Sequence, residues 1–237
     1  MVCNAIRTAK CINQYSPIVK EWDSPYFVTL TAETVDSDDL RERITKMQKN
    51  FTKIRNLHNK QKSRKTVDFE FKGIRKLECT YNFRSDKYHP HFHILCNCKA
   101  TADFIISNWL RCMEKEGVKV DPHGQDSRPA NNKSLVELFK YMTKVVTRRG
   151  DDKENKKIIN AKALDIIFNA MKRRHTIRPF GFKVSDESGS KALRMPTVGF
   201  VIDILTWSDE STDWLDKNGK RLTNYVPSDE FKKLLDG

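Results

Sequence analysis

The chain alternates between two hydrophobic periods. Pro25–Ala32 (PYFVTLTA) is dense in aromatic and β-branched residues and predicts a strand. Acid-rich residues follow. Leu40, Ile44, Met47, Phe51, Ile54 and Leu57 then recur at three- and four-residue steps, which predicts an amphipathic helix with acids in its first turn. In FKGIRKLECTYNF the period becomes two: Leu77, Cys79 and Tyr81 face one way, and Lys76, Glu78 and Thr80 the other. A polar loop at Arg84–Lys87 leads to HPHFHIL, so the two stretches predict an antiparallel hairpin. TADFIISNWLRCMEKEG predicts a helix that Thr101 caps and Gly117 ends. A short strand at VKV runs into a loop, and a further helix is expected from about Ser134 to Arg149. NAKALDIIFNAMKRRH predicts a last helix with Leu164, Ile167, Phe168 and Met171 on its buried face, and Pro179 and Gly181 end that region.

The order β-α-β-β-α-β-α-α predicts an α+β fold: a central, mainly antiparallel sheet flanked by helices. Residues 1–24 read as a lead-in, 25–182 as the main domain and 183–237 as a small C-terminal appendage. The appendage carries an expected strand at TVGFVIDIL, then Trp207, Trp214 and Tyr225 among turn-rich residues.

The second hairpin strand crowds His89, His91 and His93 together, half of the 6 histidines in the chain. His91 and His93 share a face, opposite Phe92 and Ile94, and lie about 7 Å apart along the strand. Two imidazoles so placed can converge on one metal ion. The pattern also suits a half-buried strand whose histidines only hydrogen-bond. With Asn82 opposite His89, Glu78 would lie across from His93 and Thr80 across from His91, which places Glu78 on the histidine face. A two-His, one-carboxylate set with open positions suits Mn²⁺ or Mg²⁺; a solvated Glu78 is the plainer reading.

Downstream, SLVELFKYMTK puts Leu135, Leu138, Met142 and Val145 on one helical stripe. Glu137, Tyr141, Lys144 and Arg148 fall on another. A tyrosine beside cations and a metal can serve as a nucleophile toward phosphate. Each residue also has a plain reading: Glu137 completes a capping box with Ser134, and the others form an ordinary amphipathic or solvated face.

Composition narrows the partner class. The net charge of +13 and the pI of about 9.5 favour a polyanion, most simply nucleic acid. Lys140, Lys144, Arg148, Arg149, Arg173 and Arg174 concentrate cations in the second half, as a phosphate track requires. No apolar run is long enough to span a bilayer and no signal peptide opens the chain, so a cytoplasmic protein is expected. The cysteines read as reduced thiols, with Cys96 and Cys98 on the face of Phe92 and Ile94.

HPHFHIL followed by ELFKYMTK resembles the HUH endonucleases, named for His-hydrophobic-His, and within them the plasmid-type rolling-circle replication initiators. KLECTYN and ALDIIFNAMKRRHTIRPFG belong to the same resemblance, which covers roughly residues 25–182. It implies that His91 and His93 bind metal, that Tyr141 is the nucleophile with Lys144 one turn on, and that Glu78 is the third ligand. His89 recurs in the family as a second-shell or alternative ligand. The resemblance also implies a single-tyrosine enzyme that nicks and joins single-stranded or cruciform origin DNA through a 5′-phosphotyrosyl link, with host replication proteins as further partners. Glu137, one turn before Tyr141, is read as the base for a second nucleophile. A cysteine-rich segment often precedes the first strand in this family; MVCNAIRTAK looks like its end. A relaxase or single-tyrosine transposase of the same superfamily, or a non-catalytic basic DNA-binding protein, is the rival reading.

Overall fold

The period-two stretch forms the axis of the molecule. In the computed structural model the described residues are 14–131 and 160–183, with residues 11, 134, 137 and 138 and short strands at 146–148, 157–159, 206–208 and 213–215. The elements run β1 (Tyr26–Thr31), α1 (Leu40–Ser63), β2 (Gly73–Asn82), β3 (Lys87–Cys96), α2 (Lys99–Lys115) and, after a 3₁₀ turn at Pro122–Gly124, β4 (Asp126–Pro129). Then come β5 (Val146–Arg148), β6 (Lys157–Ile159), α3 (Ala161–Met171), β7 (Ile177–Phe180), β8 (Thr206–Ser208) and β9 (Asp213–Leu215). Residues 14–20 are helical. Five strands make one sheet in the order β4-β1-β3-β2-β7, with every neighbouring pair antiparallel. β5 with β6 and β8 with β9 form separate two-stranded ladders. This is the expected α+β architecture, with β2 and β3 near its centre.

The two faces of the sheet are covered differently. Leu77, Cys79, Phe92, Ile94 and Cys96 pack under α1, α2 and α3 in the main core. α1 contributes Leu40, Ile44, Met47, Phe51 and Ile54 as its period predicted, but His58 is buried where Leu57 was expected. α2 contributes Ile105, Trp109 and Met113, and the Trp109 indole donates to the Thr31 carbonyl at 3.0 Å, tying helix to sheet. On the other face Phe27, Ile74 and Leu95 pack with Tyr15, Val19 and Leu138 in a smaller cluster. Gly181 closes β7 at φ +76°, where a Cβ would lie 1.9 Å from the Phe71 carbonyl oxygen. Among the described residues no helix is long and apolar enough to cross a membrane.

Several expectations change. The hairpin register is shifted by two residues: Glu78 lies opposite His91, Thr80 opposite His89 and Asn82 opposite Lys87. Parity survives because a two-residue shift keeps every side chain on its face. β3 stops at Cys96, and Cys98 is instead the N-cap of α2. Thr101 sits inside that helix, where its hydroxyl donates to the Glu70 carbonyl at 2.9 Å. Val118–Val120 is not a strand; the strand comes later, at β4. The expected helix to Arg149 does not extend through 146–148, which pair with β6; Val146 and Thr147 are β-branched and favour that ladder. Arg148 is therefore on a strand and not on a helical stripe with Glu137. On α3 the buried face is Ala163, Ile167, Ala170 and Met171, and Phe168 is 55% exposed. The edge strand β7 and the helix at 14–20 were not expected at all. TVGFVIDIL lies outside the described residues.

Candidate metal centre

β2 and β3 put Lys76, Glu78, His91 and His93 on the less apolar face of the sheet, one row beyond Ile74 and Leu95. Ligand atoms of Glu78, His91 and His93 all lie within 4.8 Å of one another. Glu78 Oε2 is 3.5 Å from His91 Nε2 and 3.6 Å from His93 Nε2. Those gaps are long for hydrogen bonds. They suit a small ion, since bonds of about 2.1 Å leave ligand atoms roughly 3 to 4.2 Å apart. The ring centroids are 4.9 Å apart and the planes cross at 83°, so the two imidazoles do not stack.

The surroundings orient the three groups. His91 Nδ1 lies 3.0 Å from the His89 carbonyl oxygen. A carbonyl only accepts, so Nδ1 carries a proton and Nε2 is turned toward Glu78. His93 Nδ1 is 3.2 Å from the Thr29 hydroxyl on β1, which leaves its Nε2 on the same side. Glu78 divides its carboxylate: Oε2 faces the imidazoles, while Oε1 holds the Lys76 ammonium at 2.5 Å. Both side chains are buried, Lys76 completely. Burial alone would raise the Glu78 carboxyl; contacts with His91, His93 and Lys76 outweigh it and hold the group well below the usual carboxylate range. A carboxylate kept ionised beside two imidazole nitrogens is a donor set that fits a divalent metal. His89 stands outside the three: its ring lies 5.3 Å from that of His91, and burial lowers its pKa. Its contribution to the cluster is the carbonyl that fixes His91.

The remaining predicted site residues fall in three places. Tyr141, Lys140, Lys144 and Arg149 lie outside the described residues. Glu137 is half-exposed, and its Oε2 accepts from Arg128 of β4 at 2.6 Å. It does not box with Ser134. Ser134 instead pairs with Asn131, whose side-chain oxygen accepts from the Ser134 amide at 3.1 Å while the Ser134 hydroxyl accepts from the Asn131 amide at 3.0 Å. Arg173 is exposed just past α3, whereas Arg174 is engaged within the protein by Gln48, Thr45 and the carbonyls of Arg41 and Ala170.

A family model described as "Replication protein" matches residues 2–181. The chain belongs to that family. Curated relatives of this replication protein carry the name "Protein rep". One from Staphylococcus aureus is 37% identical over 128 residues, 50% of this chain and 53% of its own length. One from Bacillus amyloliquefaciens is 30% identical over 172 residues, 60% and 49% of the two chains. A third, from Bacillus sp, is 34% identical over 130 residues, 51% and 40%. The chain thus spans about half the length of the first curated relatives it matches. No solved structure matches it.

Sequence reasoning placed Lys76 on the correct face but gave it no part, and passed over Thr29 and Arg128. Lys76 was legible as the residue two before Glu78 in a period-two stretch. Thr29 and Arg128 depend on β1 and β4 flanking the hairpin, which no local pattern carries.

Proposed function

We propose that this replication protein initiates rolling-circle replication by nicking and rejoining origin DNA at Tyr141. The observation that carries the reading is the convergence of Glu78, His91 and His93 in a chain of the replication-protein family. A bound divalent ion, Mn²⁺ or Mg²⁺, would polarise the scissile phosphate. In the reaction the Tyr141 oxygen attacks phosphorus, the bond to the 3′ oxygen breaks, and a 5′-phosphotyrosyl link forms. The phenol loses its proton and the departing 3′ oxygen gains one, leaving a primer end. The Lys144 cation favours the phenolate, whose ordinary pKa is near 10. Glu137 then takes a proton from the second nucleophile, water or an incoming strand, with Arg128 holding its carboxylate at the sheet edge. The cationic half of the chain carries the DNA backbone.

Three of the other tyrosines favour this assignment by where they point. Tyr26, Tyr81 and Tyr88 lie at strand positions that face away from His91 and His93. The Tyr81 hydroxyl is bound to Asp86 at 2.6 Å, which pushes its pKa up to about 12. Tyr88 is buried. Incubation with single-stranded origin DNA and Mn²⁺ should give an adduct that survives boiling in detergent and disappears with chelator. Tyr141→Phe should abolish the adduct and leave DNA affinity nearly unchanged. An adduct that persists in that variant and maps to Tyr81 or Tyr88 overturns the reading.

A further inference from the structure

The helix-covered face of β2 holds a buried cation of a different kind. Arg75 alternates with Lys76 and so points away from the metal centre, into the layer beneath α1. It is 5% exposed, and its guanidinium sits between two rings, 4.7 Å from the Phe51 centroid and 4.5 Å from that of Phe92. Two more arginines converge on the same cleft: Arg55 from α1 and Arg178 from β7, directly across the ladder from Arg75. Among the described residues no carboxylate forms an ion pair with any of the three.

Burying a guanidinium costs more than contact with two aromatic faces returns, and two like charges nearby add to the cost. Burial, then repulsion from Arg178 and Arg55, push the Arg75 pKa down to about 10, which remains far above neutrality. The cleft therefore keeps its positive charge, with no carboxylate paired to it among the described residues. The planar forks of arginine match the oxygens of a phosphate. The cavity, about 20 Å³, admits one or two oxygen atoms and leaves the rest of an anion in solvent.

We propose that Arg55, Arg75 and Arg178 form a phosphate-binding site on the helix-covered face of the sheet, separate from the metal centre. A DNA backbone and a free phosphate share this chemistry. The site goes beyond the nicking reaction and does not depend on it. The test uses the full chain with chelator present, so that the metal centre contributes nothing. Inorganic phosphate at constant ionic strength should raise the melting temperature above that in chloride, because a ligand that binds only the folded state stabilises it. Arg55→Gln/Arg178→Gln removes two charges from accessible positions and should weaken phosphate binding by about tenfold. A charge-matched control, Lys60→Gln/Arg64→Gln, should keep the phosphate response. In a second arm, single-stranded DNA binding is measured across salt concentrations. If the phosphate is a DNA backbone group, the arginine variant should lower the salt slope by about 0.7 more than the control does. Equal slopes, with the phosphate response still lost, assign the site to a free phosphate. No phosphate-specific rise in the unaltered protein, or one that survives the arginine variant, overturns the proposal.

Discussion

Arg75 and Lys76 are adjacent, both cationic and both buried, yet they sit on opposite faces of one strand and are handled in opposite ways. Lys76 meets a carboxylate at 2.5 Å, in a face lined with groups able to hold a metal. Arg75 meets two aromatic rings beneath helices. Strand alternation alone separates them. The comparison shows that a buried charge takes its meaning from the face it enters: on one side it is part of a polar constellation, and on the other it is a charge without a carboxylate among the described residues.

The sharpest way to break the comparison is Glu78→Ala. It leaves the Lys76 ammonium buried without that carboxylate, and such removals cost about 3–5 kcal/mol. Urea denaturation should show that loss, and calorimetry should show Mn²⁺ binding gone. Adding Lys76→Met should recover much of the stability but none of the metal affinity. If the single variant is as stable as the parent, the pair is not the support described here.

Arg75→Met should behave oppositely. It gives up cation–π contacts of about 0.5–2 kcal/mol and relieves a buried charge of comparable or greater cost. Stability in phosphate-free buffer should stay within about 1 kcal/mol of the parent or rise slightly. A loss as large as that of Glu78→Ala would make the two faces equivalent.

The smallest effect concerns His58, also on the helix-covered side. Its Nε2 lies 3.1 Å from the Phe69 carbonyl, so that nitrogen carries the proton, and its Nδ1 is buried with no hydrogen-bond partner within 3.5 Å among the described residues. Burial outweighs the hydrogen bonds to Phe69 and Asn59 and lowers the pKa below its ordinary 6.5. The unfolded chain therefore binds a proton that the folded chain refuses. Stability is full above about pH 6.5 and falls as pH drops toward the folded value, by at most about 1.4 kcal/mol per unit. His58→Phe should flatten this slope in denaturation curves between pH 7 and 5.5; an unchanged slope would assign it to His89 and other groups.

The sequence exposed most strongly what repeats over many residues. The facing of Glu78 with His91 and His93 follows from a period of two, and α1 from a long apolar stripe. The hairpin register depended on where a polar turn begins and ends, and Asp86 at φ +51° tightens that turn in a way composition does not signal. β4 and β7 read DSRP and IRPF, too short and too charged to stand out, and they are strands because the sheet edges accept them. Phe168 was placed inward because alanines were undervalued; Ala163 and Ala170 fill the close contact that a larger ring would overcrowd.

The three candidate ligands belong to two strands joined by a four-residue turn, Phe83–Asp86. Few sites built from a sheet need so little of the chain. Closing one hairpin is enough to assemble this one, and hairpins close in about 1–10 μs, before long-range pairings. β4 and β7 must travel much further along the sequence to dock at the sheet edges. A one-residue slip of β3 along β2 would send His91 and His93 to the face opposite Glu78 and take the site apart. An ion captured early would therefore act as a clasp, locking the central pairing in register while the distant edges of the sheet are still arriving.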